Sequence, residues 1–183
     1  MLAAEFDGIL DAARAGAEWA WRRLYEDLSG QVLGYVTRQG SRQPEDLVGE
    51  VWLQVARNIQ GFIGDEAGFR SWVFTVAHHR VIDERRRVRR RPEYPVAEFD
   101  PPPEPGDGTE EAALAAVATD RIQELLAGLA PAQRDVLLLR IIGGLTVGEI
   151  AEALGKRVGA VKALQRRGLE ALRRMMERKG VSL

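Results

Sequence analysis

The chain has 183 residues, nearly half of them hydrophobic and more than a quarter charged, with a net charge of −1. That composition describes a soluble globular protein of one large domain or two small ones. It has no cysteine and only two histidines, which are adjacent, so disulfides and thiolate zinc sites are excluded and metal or redox chemistry has little to work with.

No apolar run reaches the roughly 18 residues that cross a bilayer, and the opening MLAAEFDGILDAARAG carries acids where a signal peptide needs bases. A cytoplasmic protein with no membrane insertion and no cofactor is expected. Apolar residues then recur at three- and four-residue intervals, with no alternating run of the kind a strand needs, so the fold class is all-α. Trp21, Leu24, Tyr25, Leu28, Val32, Tyr35 and Val36 mark one helix. Val48, Val51, Trp52, Val55 and Ile59 mark a second, and Phe69, Trp72, Val73, Val76 and Ala77 a third. Residues 40–44 and 61–68 supply the breaks. Three such helices form a compact bundle with an aromatic seam, and most of these positions serve core packing.

The third stripe changes character as it proceeds. Its face runs into Arg80 and Asp83, with His79 alongside, and then into Arg85, Arg86, Arg87, Arg89, Arg90 and Arg91. These arginines cannot neutralise one another, so they require solvent, acidic protein or phosphate nearby. Next come residues 92–111, with six of the eight prolines, seven acidic residues and no basic one. Proline and mutual repulsion predict an extended tether, which at about 3 Å per residue spans up to roughly 60 Å. Residues 1–91 carry 14 basic and 13 acidic side chains, and residues 112–183 carry 12 and 7. An acidic tether between neutral and positive blocks fits a nucleic-acid binder.

The most specific signal lies in TVGEIAEALGKRVGAVKALQRRGL, residues 146–169. Thr146 and Glu149 have the spacing of a capping box that starts a helix. Ile150 and Leu154 face inward, Ala151 is small where a second helix crosses, and Gly155 stands where the chain turns with positive φ. Val161 and Leu164 give the next helix its buried side. This is the steric pattern of a DNA-binding helix-turn-helix. Burying Val161 and Leu164 turns Arg157, Lys162, Gln165 and Arg166 outward or to the flank, supplying cations for phosphates and donors for base edges. Pro131 at a helix start and residues 136–142 provide a supporting helix in front of the motif.

Four ordered blocks now resemble the extracytoplasmic-function (ECF) sigma factors of the sigma-70 family: EDLVGEVWLQVARNIQGF, FRSWVFTVAHHRVIDERRR, the proline-rich linker, and LAPAQRDVLLLRIIGGLTVGEIAEALGKRVGAVKALQRRGLEALRR. The resemblance implies that residues 1–91 are sigma region 2, which binds core RNA polymerase and opens the minus-10 element. It implies that residues 92–111 thread toward the active centre, and that residues 112–183 are region 4, which reads the minus-35 duplex. Asp46 and Glu50 become the polar contacts to core polymerase, with Gly49 where the family usually has Gln. Phe62 becomes the aromatic that receives an unstacked minus-10 base in single-stranded DNA, and His79, Arg80 and Arg86 join it as DNA contacts. His79 stands where the family commonly has Asn, which implies an altered base preference. An anti-sigma factor is implied as a regulatory partner.

Other readings remain open on residues alone. A helix-turn-helix regulator acting without polymerase would bind duplex tightly by itself. A sigma mimic that sequesters an anti-sigma factor usually carries a receiver domain, for which no alternating strand and helix pattern is present. An enzyme built on His78, His79, Asp83 and Glu84 would place only His79 and Asp83 on one helix face, short of a site.

Overall fold

The computed structural model describes residues 5–90 and 121–178, and all regular structure among them is helical. The acidic segment 92–111, predicted to be extended, lies outside the described residues. In chain order the helices are α1 (Phe6–Arg14), α2 (Glu18–Arg38), α3 (Pro44–Asn58) with a closing 3-10 turn (Ile59–Gly61), and α4 (Glu66–Arg90). Residues 121–127 form α5, followed by α6 (Pro131–Ile141), α7 (Val147–Ala153) and α8 (Val158–Arg178).

The three predicted N-terminal helices are α2, α3 and α4. Leu24, Leu28, Val32 and Val36 of α2 meet Val51 and Val55 of α3 and Phe69, Val73 and Phe74 of α4, all buried. Each such side chain contributes roughly 1.5–3 kcal/mol by leaving water. The structure adds α1, whose Phe6, Ile9, Leu10 and Ala13 follow helical spacing and are buried. The Phe6 ring stands 5.6 Å from that of Phe69, which ties α1 to the start of α4. The core face of α4 also extends further than its sequence stripe, because His78 and Val81 are both buried.

In the C-terminal half, Val136, Leu137, Leu138 and Leu139 of α6 are all buried. These four consecutive positions point all round the helix, so this turn must be enclosed on every side, and α6 lies between α8 and the N-terminal bundle. Helix α7 has only seven residues and depends on its start. The Thr146 oxygen accepts from the Glu149 backbone N–H (3.3 Å), and the Glu149 carboxylate accepts from the Thr146 N–H (2.6 Å), completing the predicted capping box. Gly155, at φ +59°, then turns the chain into α8, in the left-handed region that glycine enters without a Cβ clash.

The two halves pack against each other through a buried polar network. Gln39, 2 % exposed at the end of α2, donates from Nε2 to Tyr35 Oη (3.1 Å) and to Asp135 Oδ1 of α6 (3.0 Å). Arg85 of α4 donates to the Gln39 carbonyl (3.0 Å) and to Gln39 Oε1, and its Nη1 stands 3.4 Å from Asp135 Oδ1. Tyr35 Oη lies 3.0 Å from His78 Nδ1. Since Tyr35 accepts from Gln39, every proton is used if the hydroxyl donates to a neutral His78. Burial holds the His78 pKa below its ordinary value, outweighing the attraction of Asp135, while His79 and Arg85 add to the depression. Burial and the nearby Asp135 likewise push the Tyr35 pKa upward. A further link across the halves runs from Gln123 Nε2 to the Thr37 carbonyl (3.1 Å).

Candidate nucleic-acid interface

Helix α8 carries one candidate surface. Val161 is fully buried and Leu164 packs half-buried against the core, which fixes the rotation of the helix. That rotation leaves Arg157, Lys162 and Arg166 exposed, with Gln165 half-exposed on the flank. Lys162 and Arg166 are one turn apart and form a continuous cationic stripe. Arg166 Nη1 pairs with Glu170 at 3.2 Å, but both side chains are well exposed, and such a pair is readily exchanged for phosphate or a base edge.

A second surface runs along α4. Trp72, His79 and Arg86, spaced by seven residues, lie on one face over a length of about 21 Å. His79 and Arg86 are exposed, and Arg86 is only loosely paired with Asp83 at 3.9 Å. His78, its sequence neighbour, points into the core.

Arg80 sits differently. Its Nη1 lies 3.7 Å from Glu50 Oε2, the oxygen that Arg87 Nη2 also approaches at 3.4 Å. A predicted DNA contact and a predicted polymerase contact therefore meet each other. The Arg80 Nε is buried without a hydrogen-bond partner among the described residues. Asp46, in the first turn of α3, faces solvent where the helix dipole favours a carboxylate. On the same side Leu53 is 59 % exposed, and its position outside the Val48, Val51 and Val55 stripe is the one signal of this in the sequence.

The loop between α3 and α4 completes the region. The Phe62 ring stacks on Trp72 (5.3 Å, 19°) and meets Phe69 edge-on (5.4 Å, 84°). It is half-buried rather than presented to solvent. Its neighbour Ile63 is 95 % exposed. Arg14, at the end of α1, donates from Nε to the Ile59 carbonyl (3.4 Å) and from Nη2 to the Phe62 carbonyl. Neither Ile63 nor Arg14 stood out in the sequence, since each acquires its setting from a residue distant in the chain.

Together, α8 presents cations suited to a duplex groove, and α4 with its preceding loop presents aromatic, histidine and arginine side chains along one track. Among the described residues no group of three His, Asp or Glu side chains is arranged to hold a metal ion.

Comparison with known proteins gives consistent matches. The family pattern described as Sigma-70 region 2 matches residues 24–91, and that described as Sigma-70, region 4 matches residues 119–172. The chain is similar to the ECF RNA polymerase sigma factor BldN of Streptomyces coelicolor, with 31 % identity over 170 residues, covering 92 % of this chain and 64 % of that protein. It thus spans less than two thirds of that relative's length. Similarity to the ECF RNA polymerase sigma factor SigK of Mycolicibacterium vanbaalenii is 30 % over 184 residues, covering 96 % and 91 %. The fold resembles that of CnrH, solved with the cytosolic domain of CnrY (TM-score 0.68, 19 % identity, covering 92 % and 95 %). It also resembles the sigma factor RpoE of Bartonella quintana, solved with the anti-sigma factor NepR (TM-score 0.61, 17 % identity, covering 85 % and 98 %).

Proposed function

The chain belongs to the ECF RNA polymerase sigma factors, which direct the polymerase to promoters, and on that premise we propose how its parts divide the work. Residues 112–183 read the minus-35 duplex through α8. Arg157 and Lys162 neutralise phosphates, while Gln165 and Arg166 reach base edges. Residues 1–91 hold core polymerase through the exposed side of α3, where Asp46 and Glu50 supply charge and Leu53 an apolar contact. The α3–α4 loop and the α4 track receive the opened minus-10 strand. Phe62 and Trp72 form an aromatic base, His79 reads a base beyond them, and Arg86 pairs with phosphate, so that energy lost in unstacking is recovered on the protein. Arg80 acts from behind this track by pairing with Glu50. The acidic linker 92–111 runs toward the active centre.

The observation that carries this reading is the complete burial of Val161, which sends the cations of α8 to the outside of a capped helix-turn-helix. The chain has no catalysis of its own in this scheme and acts where core polymerase is, in the cytoplasm. No described helix is long and apolar enough to cross a membrane. An anti-sigma factor is a further proposed partner, in keeping with the family and with the RpoE structure solved with the anti-sigma factor NepR.

Run-off transcription from genomic fragments with purified core polymerase tests the function directly. Specific transcripts should require the chain, and the chain alone should bind the same duplexes weakly. Tight specific binding without core polymerase, and no change in initiation with it, would instead identify a stand-alone regulator.

A further inference from the structure

We propose that Arg14 is a positioning residue for promoter opening: it fixes the backbone of the α3–α4 loop so that Ile63 projects as an apolar wedge beside the extruded base. The inference rests on the reading of this loop as the place where the opened strand is received.

The loop has little regular structure of its own. Its own bonds lie at its two ends: Phe62 N–H to the Ile59 carbonyl (3.2 Å) closes the 3-10 turn, and Gly68 N–H to Asp65 Oδ1 and Phe69 N–H to the Asp65 carbonyl (both 2.8 Å) start α4. Its shape is imposed by α1. The Arg14 guanidinium donates to the carbonyls of Ile59 and Phe62, and Asp11 Oδ1 holds its third edge at 3.0 Å. In return Gln60 Nε2 donates to the Arg14 carbonyl (2.8 Å). The end of α1 is anchored in turn, because Trp21 Nε1 donates to the Ala13 carbonyl (2.9 Å). A planar guanidinium spanning two carbonyls fixes their relative position, which a single flexible ammonium does only in part.

The far side of the loop is held by the Phe62 ring on Trp72. Gly64, at φ +156°, closes beneath that ring, where an added Cβ would stand 3.0 Å from Phe62 Cζ. With backbone and neighbour both held, Ile63 is left 95 % exposed. A lone exposed isoleucine on a mobile loop would mean nothing. One on a backbone braced by a second helix, at the head of the Trp72–His79–Arg86 face, has the form of the apolar wedges that proteins insert between base steps. Its branched, stiff side chain suits a step that must be pried apart.

The test uses holoenzyme reconstituted from the full chain and core polymerase. A duplex is first selected from a randomised pool by wild-type holoenzyme, then prepared fully paired and with its minus-10 bases pre-opened by mismatches. Arg14→Ala and Ile63→Ser should each slow initiation about tenfold on the paired template and leave it within about twofold of wild type on the pre-opened one, because only the first must be unstacked. Arg14→Lys should recover part of the loss, and affinity for core polymerase should be unchanged in all three. Because Ile63 lies in solvent, its substitution reports on the wedge even if Arg14→Ala weakens folding. Wild-type opening rates in both Arg14→Ala and Ile63→Ser, or equal losses on the two templates, would overturn the proposal. A parallel fall in core affinity would overturn it too and make Ile63 a polymerase contact. Failure of wild-type holoenzyme to initiate on any duplex would sink the underlying reading of the loop, and this inference with it.

Discussion

Arg166 and Arg86 are both exposed arginines in different settings, and the proposed function gives them different work. Arg166 lies on the outward stripe of a helix whose rotation is fixed by Val161, so the direction it faces is defined, and the proposed function places a groove there. Arg166→Ala should cost about 1–3 kcal/mol and relax preference at one base pair, as read by competition among minus-35 variants. Arg86 has only a loose partner on a helix end, and Arg86→Ala should weaken all sequences alike and lower the salt slope by about one. His78 gives a third prediction. Its pKa is depressed in the folded protein, so below the ordinary value of 6.5 the unfolded chain binds the extra proton more readily. The stability it contributes is complete above that value and is lost as pH falls through the lower, folded pKa. Thermal unfolding followed from pH 7.5 downward should show this loss starting near 6.5 in wild type and reduced in His78→Gln. Among residues, the capping box was legible because Thr146 and Glu149 are three apart, and local spacing suffices. The distinction between His78 and His79 was not, because the pairing of His78 with Tyr35 crosses 43 residues. Arg85 was grouped with the outward run, and its acidic partner Asp135 lies 50 residues away.

At the scale of elements, the helices with long apolar stripes, α2, α3 and α4, were readable from periodicity, whereas α1 was not. Its nine residues bury Phe6, Ile9, Leu10 and Ala13, chiefly against α2 with Phe6 also on Phe69 of α4, and a stripe of four positions is too short to stand out by periodicity. Helix α7 shows how far a cap matters when a helix has only seven residues. Thr146→Ala should lower the stability of the C-terminal half by about 1 kcal/mol, measured by denaturant unfolding. The crossing of α6 and α8 is equally exacting. A Cβ at Gly168 would meet Leu137 Cδ1 at 2.9 Å, so Gly168→Val should force the helices apart and cost roughly 1–3 kcal/mol. That substitution should also weaken minus-35 binding, since it rotates the α8 stripe away from its set direction.

In the whole molecule, the contact between halves is the feature least visible in the sequence. Gln39, Arg85 and Asp135 come from three separate helices or their ends and become a network only once the halves meet. Asp135→Ala leaves the donors of Gln39 and Arg85 without their shared acceptor, at a cost of roughly 1–3 kcal/mol. It should lengthen the distance between fluorophores placed on α3 and α8, with helicity unchanged. The charge excess of residues 112–183 and the arginine run that ends α4, by contrast, were legible, and exposed basic surfaces stand on α8 and at the end of α4. The proposed function joins those surfaces by having one hold the promoter as duplex and the other hold it as opened strand. Site-specific photocrosslinking in the holoenzyme, from probes replacing Lys162 and His79, tests this most directly. The probe at position 162 should label only paired minus-35 DNA and the probe at position 79 only the unpaired minus-10 strand. Labelling of the same duplex segment from both positions, or of no DNA from either, would contradict it.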